Sequence, residues 1–137
     1  MFTRASLSKS ERLSREQLIA SLFEAGHSFF TPSFVVYYKI GPLPESVPAQ
    51  MLASASKKKF NKATDRNRIK RFIKESYRTN KFELYRHLTT NKLQLALAFV
   101  YIDKKITSFN DIEAKIKVAL SELILKLQIE QKSIKND

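Results

Sequence analysis

Cysteine and tryptophan are absent from this chain of 137 residues, and glycine and histidine occur only twice each. The absence of cysteine excludes disulfides, thiolate nucleophiles and cysteine-based zinc sites, and it suits a reducing compartment. The first 16 residues lack the apolar segment of a signal peptide, and the most apolar run, residues 93–102, has about half the length that a membrane-spanning helix needs. We therefore expect a cytoplasmic protein that does not associate with membranes.

Acidic residues are also scarce, since 13 Asp and Glu stand against 25 Lys and Arg and give a net charge of +12. Hydrophobic residues nevertheless make up 43% of the chain, which is too many for a disordered basic tail. A chain of this length can bury roughly two thirds of its unfolded surface without disulfides. The composition therefore predicts one folded domain over residues 1–137, with frayed ends at about residues 1–11 and 128–137.

Hydrophobic periodicity predicts six elements in the order α-β-β-α-β-α. The segment 93–102 is apolar on both faces, as expected of a central strand that is covered on each side. Long amphipathic helices can cover such a sheet, so the pattern predicts an α+β fold, a two-layer sandwich. The predicted elements are a helix at 15–25, strands at 34–38 and 50–56, a helix from 61 to 80, a strand at 93–102 and a helix from 108 to 127.

Polar residues and glycine mark the predicted helix ends. Ser14 and Gln17 form a capping-box pattern before the first helix, and Gly26 offers a stop after it. Asn61 and Ser108 are the predicted N-caps of the second and third helices.

Positive charge is concentrated in one segment. Residues 57–81 contain eleven basic and two acidic residues, so they carry +9 of the net +12. On a helix, Arg66, Lys70, Lys74 and Arg78 form a stripe that faces away from the apolar residues. Like charges at i,i+4 repel by a few tenths of a kcal/mol, whereas solvated faces usually mix signs. The stripe therefore favours a nucleic-acid-binding surface over a solvated helix face or a membrane-binding helix.

Aromatic residues also cluster in the first part of the chain. Exposed aromatic rings commonly hold single strands and RNA loops by stacking, although each ring taken alone is more typical of a core. The cluster comprises Phe23, Phe29, Phe30, Phe34, Tyr37 and Tyr38.

Residues for protein-based phosphodiester hydrolysis are not grouped in the sequence. Such hydrolysis normally needs clustered carboxylates for a metal ion, or paired histidines as acid and base. His27 and His87 are 60 positions apart, and the carboxylates are scattered. We expect no catalytic residue and no metal site in the protein, which makes an autonomous metal-dependent nuclease improbable.

Two adjoining segments resemble a known family. The run SASKK at 54–58, followed by ATDRNRIKRFIKESYR at 63–78, resembles the signature of the bacterial ribonuclease P protein component. That signature is an Arg-Asn-Arg helix entered from a strand that ends in Ser-Lys-Lys. The similarity extends over about residues 12–127, because the remaining helices and strands follow in the family's order.

The resemblance implies a parallel βαβ unit with a left-handed crossover and a protein that binds a large catalytic RNA. It implies that this RNA, with Mg²⁺, removes the 5′ leader of precursor tRNA, while the protein positions the substrate and needs no protein-bound cofactor and no obligate protein partner. The residues implied for binding the RNA subunit are Lys57, Lys58, Arg66, Asn67, Arg68, Lys70, Arg71, Lys74 and Arg78. Those implied for a cleft that holds the leader are Ile19, Phe23, Phe34, Tyr37 and Lys58.

The chain also departs from the family pattern. Family members usually carry an aromatic residue at the position of Ile19, an arginine at that of Gln50 and a glycine at that of Leu52.

The alternative function is a general RNA-binding or ribosome-associated factor that uses the same basic stripe without a catalytic RNA partner.

Overall fold

The computed structural model describes the backbone of residues 6–136 and the side chains of residues 6–131. Four helices and a four-stranded sheet confirm the predicted α+β class. The helices are α1 (Glu16–Ala25), α2 (Ala63–Asn80), α3 (Phe82–Thr90) and α4 (Phe109–Asn136), and the strands are β1 (His27–Thr31), β2 (Phe34–Ile40), β3 (Ala49–Ala55) and β4 (Leu95–Tyr101).

The strands lie in the order β1-β2-β4-β3. β2 is antiparallel to both β1 and β4, whereas β3 and β4 are parallel. Because α2 and α3 connect these two parallel strands, they form the βαβ unit that the resemblance implied. β4 is central and six of its seven residues are buried, which confirms the prediction of a strand covered on both faces.

Helices cover the sheet on both faces. The main core cluster joins alternate residues of the strands to α2, α3 and α4, and it includes Ile69, Ile73 and Tyr77 of α2. A smaller cluster on the other face joins Leu22 of α1 to Ala96 and Ala98 of β4. The helices on the first face give the predicted two-layer packing, and α1 adds cover to part of the second face.

Two longer elements and the short 3₁₀ helix Lys9–Glu11 were missed by the sequence pattern. β1 has only two buried residues out of five, and its pairing with β2 across the turn at Pro32 and Ser33 makes it a strand. α3 follows α2 after the single residue Lys81 and buries Leu84 and Leu88. Both segments are short, so their periodicity was too weak to predict an element. The other strands lie within two residues of their predicted bounds.

Two of the predicted helix caps are wrong. The N-cap of α1 is Arg15 and that of α2 is Lys62, and in neither case does a side chain form the cap hydrogen bond. The prediction at Ser108 is confirmed, because the Asp111 backbone N–H donates to the Ser108 Oγ at 3.1 Å. Gly26 ends α1 as predicted, and its N–H donates to the carbonyl of Leu22 at 3.0 Å.

Parts of both terminal segments that are predicted to fray lie within the described residues. Leu7 packs against the main core and Glu11 is buried. At the other end α4 continues to Asn136, and the Tyr38 hydroxyl donates to Glu130 Oε1 at 3.1 Å. These contacts join both segments to the rest of the fold, and the fraying of the ends stays a prediction. Residues 1–5 and 137 of the predicted frayed ends lie outside the described residues.

Candidate nucleic-acid interface

α2 presents its basic residues to solvent. Ile69, Ile73 and Tyr77 are fully buried in the main core. Because an α-helix has about 3.6 residues per turn, these three residues lie on one face of α2, and the opposite face points to solvent. Asn67, Arg68, Arg71 and Lys74 are exposed, and Arg66, Lys70 and Arg78 are partly buried. The turn before the helix carries Lys57 and Lys58, which are also exposed.

A groove of about 440 Å³ runs between α2 and the N-terminal segment of residues 6–12. Five basic side chains and one carboxylate line it, so its potential is positive. The lining residues are Leu7, Arg12, Asn67, Lys70, Arg71, Lys74, Glu75 and Arg78. Arg12 is a candidate that the sequence did not reveal, because it lies 54 positions before the nearest basic residue of α2.

The single carboxylate of the groove is already paired. Arg78 Nε donates to Glu75 Oε2 at 3.2 Å, and this hydrogen bond holds the pKa of Glu75 below its usual range. Within the part of the chain that the structure describes, Lys70, Arg71 and Lys74 form no salt bridge with a carboxylate. Their charges are therefore not neutralised inside the protein and can meet an anionic ligand.

Arg66 has a different role from its neighbours on the stripe. Its Nη1 donates to the backbone carbonyls of Phe60 at 2.7 Å and Asn61 at 3.1 Å. These bonds hold the loop before α2 against the first turn of the helix. Arg66 therefore helps to position the preceding Lys57 and Lys58, besides placing a cation on the surface.

Lys81 has a structural role, although it is one of the eleven basic residues of the segment 57–81. Its Nζ lies 2.6 Å from Glu11 Oε1, and Tyr85 also donates to this oxygen at 2.7 Å. Burial disfavours the Glu11 carboxylate, but hydrogen bonds from Lys81, Tyr85 and Ser8 outweigh it and lower its pKa. This buried pair fixes the N-terminal segment beside α2.

β3 holds the same segment from its other side. The Leu13 backbone N–H donates to the Met51 carbonyl at 3.0 Å, and Gln50 Nε2 donates to the Ser10 carbonyl at 2.8 Å. Gln50 is buried, so this residue, which departs from the family pattern, has a structural role here. These bonds complete the wall of the groove on which Arg12 lies.

A second candidate surface lies between α1 and the sheet. Phe23 is 39% exposed, and its ring contacts that of Tyr37 edge-on with the centroids 4.6 Å apart. Ile19 and Tyr37 pack against the smaller core cluster and are partly buried. The structure thus brings Ile19, Phe23 and Tyr37 together on one face, with the two aromatic rings at its surface.

The prediction that Phe34 lines this cleft is wrong. Phe34 is fully buried in the main core, where its ring contacts those of Phe99 and Tyr101 at 6.0 and 5.6 Å. Side chains alternate along a strand, and Phe34 stands three residues from Tyr37, so the two point to opposite faces of the sheet. Lys58 lies in the exposed turn after β3.

Residues 6–136 contain no group of three or more histidine or acidic residues that could hold a metal ion. None of the helices in this range is both long enough and apolar enough to cross a membrane.

Comparisons with known proteins identify the family. The family model described as Ribonuclease P matches residues 7–124. The ribonuclease P protein component of Porphyromonas gingivalis is 33% identical over 114 residues, which cover 83% of each chain. That of Chlorobium phaeobacteroides is 33% identical over 133 residues, covering 86% of this chain and 91% of its own.

Two solved structures have a similar fold. The Staphylococcus aureus RNase P protein has a TM-score of 0.58 and 24% identity, and the match covers 88% of this chain and 96% of the other. The Thermotoga maritima RNase P protein has a TM-score of 0.60 and 23% identity, with coverage of 82% and 96%. The family match runs from the N-terminal wall of the groove through the basic helix to α4. This chain therefore belongs to the ribonuclease P protein component family, the protein subunit of an endoribonuclease of tRNA 5′ processing.

Proposed function

We propose that this chain binds the catalytic RNA subunit of ribonuclease P through α2 and holds the 5′ leader of precursor tRNA in the cleft beside α1. The observation that carries the proposal is the groove along α2, where five basic side chains face a single carboxylate that is already paired with Arg78. Such a surface needs a polyanion to offset the repulsion between its own charges.

The α2 surface suits phosphate binding in a structured RNA. Arginine presents a planar fork that matches phosphate oxygens, and lysine adds a mobile point charge. Because Ile69, Ile73 and Tyr77 are fully buried, the core fixes the position of the helix that carries these cations. The residues proposed for contact with the RNA subunit are Arg12, Lys57, Lys58, Arg66, Asn67, Arg68, Lys70, Arg71, Lys74 and Arg78.

The cleft beside α1 suits a single strand. The edge-on pair of Phe23 and Tyr37 offers aromatic surface, and stacking on an aromatic side chain stabilises a bound base by about 1–3 kcal/mol. We keep Ile19 and Lys58 in this proposed leader site, with Ile19 forming part of its wall.

The cleavage itself is assigned to the RNA. We propose that the RNA would hold the Mg²⁺ ions and that these would supply the chemistry of cleavage, while the basic groove neutralises phosphates and so lowers the Mg²⁺ concentration that the complex needs. We further propose that the protein works in the cytoplasm and needs no other protein partner.

A reconstitution assay tests this function. The chain is mixed with the ribonuclease P RNA of its own organism and a precursor tRNA at a Mg²⁺ concentration too low for the RNA alone, and 5′ cleavage is measured. We expect the chain to restore cleavage and Lys70→Ala/Lys74→Ala to restore less of it. The matched control is Arg86→Ala/Lys117→Ala, which removes two exposed charges from α3 and α4.

RNA-binding measurements with the same chain and RNA distinguish the proposed function from the alternative one. If about six phosphates are contacted, the affinity for the RNA subunit should fall with salt with a log–log slope of roughly −4 to −5. A wild-type chain that binds mixed or ribosomal RNA but restores no cleavage would instead indicate a general RNA-binding factor.

A further inference from the structure

The solvent-facing side of α4 carries three exposed apolar side chains. Val118 is 46% exposed, Leu125 52% and Ile129 64%, and they are three of the five exposed large hydrophobic residues in the described part of the chain. At about 100° per residue they lie within about 40° of one another, opposite to buried residues such as Ile116 and Leu123. Val118 and Leu125 are seven residues apart, the repeat at which helices pair in coiled coils. We call these three exposed residues the α4 stripe.

The surface beside the α4 stripe can accept a second helix. Ala114 and Ser121 are exposed and small, so a neighbouring helix can approach α4 closely at these positions. A groove of about 360 Å³ between α4 and the start of α3 adjoins them, and Phe82, Leu120 and Ile124 form its apolar lining. Apolar surface that is bordered by polar residues is typical of a protein–protein contact.

The charge around the α4 stripe differs from that of the rest of the protein. Residues 109–131 contain four acidic and three basic residues and so carry −1, whereas the whole chain carries +12. A surface without excess positive charge does not attract RNA. Two strongly positive chains repel each other, so a surface of this kind is where a second copy can approach with the least repulsion.

One flank of the stripe carries an acid and a base that can pair across such a contact. Glu122 is exposed, and within the residues that the structure describes it forms no salt bridge. Lys126 lies one turn further along the same flank, with its Nζ 5.1 Å from the centre of the Phe29 ring. Because the two residues have opposite charges, two copies of this flank are complementary when the helices run in opposite directions.

We infer that the α4 stripe binds the α4 stripe of a second copy of this chain, with the two helices antiparallel about a two-fold axis near Ile124. In a two-fold contact the same surface of both copies meets, so each off-axis contact occurs twice. This axis places Leu125 beside Leu125 of the second copy and Val118 beside its Ile129. It also places Glu122 beside Lys126 of the second copy. The inference goes beyond the proposed function and does not rest on it, because the contact lies away from the basic groove.

Analytical ultracentrifugation of the full chain without RNA tests the contact. We expect a monomer–dimer equilibrium that shifts towards the dimer as the ionic strength rises, because salt screens the repulsion between two positive chains. Leu125→Arg should raise the dissociation constant of the dimer by about 30-fold or more, the effect of losing a central interface residue. Phe30→Ala is the matched control, because it removes a side chain that is 78% exposed on β1 and should leave the dissociation constant unchanged.

Charge reversal tests which residues face each other. At high ionic strength, Glu122→Lys should raise the dissociation constant by about 2- to 30-fold, because it removes two exposed ion pairs from the dimer. Glu122→Lys/Lys126→Glu rebuilds both pairs with the charges exchanged. This double variant should return the dissociation constant to near the wild-type value.

The absence of cysteine from the chain allows a crosslinking test of the antiparallel arrangement. Leu125→Cys introduces a single thiol beside the two-fold axis, where the two Cα atoms lie within the roughly 7 Å that a disulfide permits. Ile129→Cys instead places the two thiols about 15 Å apart along the helices, at 1.5 Å per residue. Oxidation should therefore crosslink the Leu125→Cys chain and leave the Ile129→Cys chain uncrosslinked.

Several outcomes would overturn the inference. A wild-type chain that stays monomeric at high ionic strength would do so, as would a dimer that Leu125→Arg does not weaken. Loss of the dimer in Phe30→Ala would show that the copies meet through the edge strand β1 instead. Equal crosslinking of the two cysteine variants would exclude the antiparallel pair. These experiments contain no RNA, so their failure leaves the reconstitution assay of the proposed function unaffected.

Discussion

Glu11 and Lys81 form a buried ion pair across 70 positions of sequence, with 2.6 Å between Oε1 and Nζ and exposed fractions of 7% and 2%. The pair joins the N-terminal segment to the junction of α2 and α3. Because Arg12 follows Glu11 directly, the pair also decides where one wall of the basic groove lies. A structural contact thus controls the shape of the proposed RNA-binding surface.

Breaking this pair should be costly. Lys81→Met leaves the Glu11 carboxylate buried without its cation, and such a loss typically costs about 3–5 kcal/mol of unfolding free energy. Urea unfolding followed by circular dichroism measures the change. Glu11→Gln/Lys81→Met removes both charges and should recover part of the loss. A Lys81→Met protein as stable as wild type would contradict the assigned burial.

The same pair gives a pH dependence with a defined sign. The folded-state pKa of Glu11 lies below its ordinary value of 4.5, because hydrogen bonds outweigh the effect of burial. Its contribution to stability should be complete above pH 4.5 and should disappear as the pH falls through the lower folded-state pKa. Unfolding at a series of acidic pH values should therefore show a smaller loss for Glu11→Gln than for wild type.

Substitutions in the basic stripe should distinguish a residue that also stabilises the fold from residues that only bind RNA. Arg66→Ala removes two hydrogen bonds to loop carbonyls and should cost about 1–2 kcal/mol of stability as well as RNA affinity. Lys70→Ala/Lys74→Ala removes like charges at i,i+4 and should change stability by less than about 0.5 kcal/mol. Thermal melts and RNA titrations of the two variants provide the comparison. Equal melting temperatures would show that the Arg66 bonds add no stability.

Two phenylalanines of the predicted cleft should behave differently. Phe34→Ala opens a cavity in the main core and should cost about 3–5 kcal/mol. Phe23→Ala removes one edge-on ring contact and should cost only about 0.5–1.5 kcal/mol, while it weakens leader binding. Denaturant unfolding combined with precursor-tRNA binding measures both effects. A Phe34→Ala protein that is as stable as wild type but binds the leader weakly would show that Phe34 lines the cleft.

Substitution of Gly26, which ends α1, should lower the stability of the protein for a steric reason. A Cβ at Gly26 would lie too close to the Leu22 carbonyl oxygen and 3.0 Å from that of Tyr38. Gly26→Ala should therefore displace α1 from β2 and cost about 1–3 kcal/mol. Gly41→Ala is the matched control, because nothing lies within 4 Å of its added Cβ and its stability should not fall. Similar melting temperatures for the two variants would refute the steric argument.

Local periodicity determined much of this molecule. The spacing of Ile69, Ile73 and Tyr77 fixes which face of α2 is buried, and the basic stripe follows on the other side because helix geometry relates the two. The same reasoning identified β4 as central, since both of its faces are apolar. Ser108 could be identified as a cap because its bond reaches only three residues along the chain.

Contacts between residues that are far apart in the sequence determine the remaining strand and the composition of the candidate site. β1 exists as a strand through its partner β2, and Arg12 lines the groove because the Glu11–Lys81 pair brings it there. Phe34 and Phe23 could not be assigned to opposite faces of the sheet from composition, because the face depends on which helix covers each side. The sequence by itself determined a basic helix and an α+β fold, since these depend on neighbours a few residues apart. Only the tertiary structure decided which side chains surround the groove and the cleft, since those surfaces are assembled from segments that the chain keeps far apart.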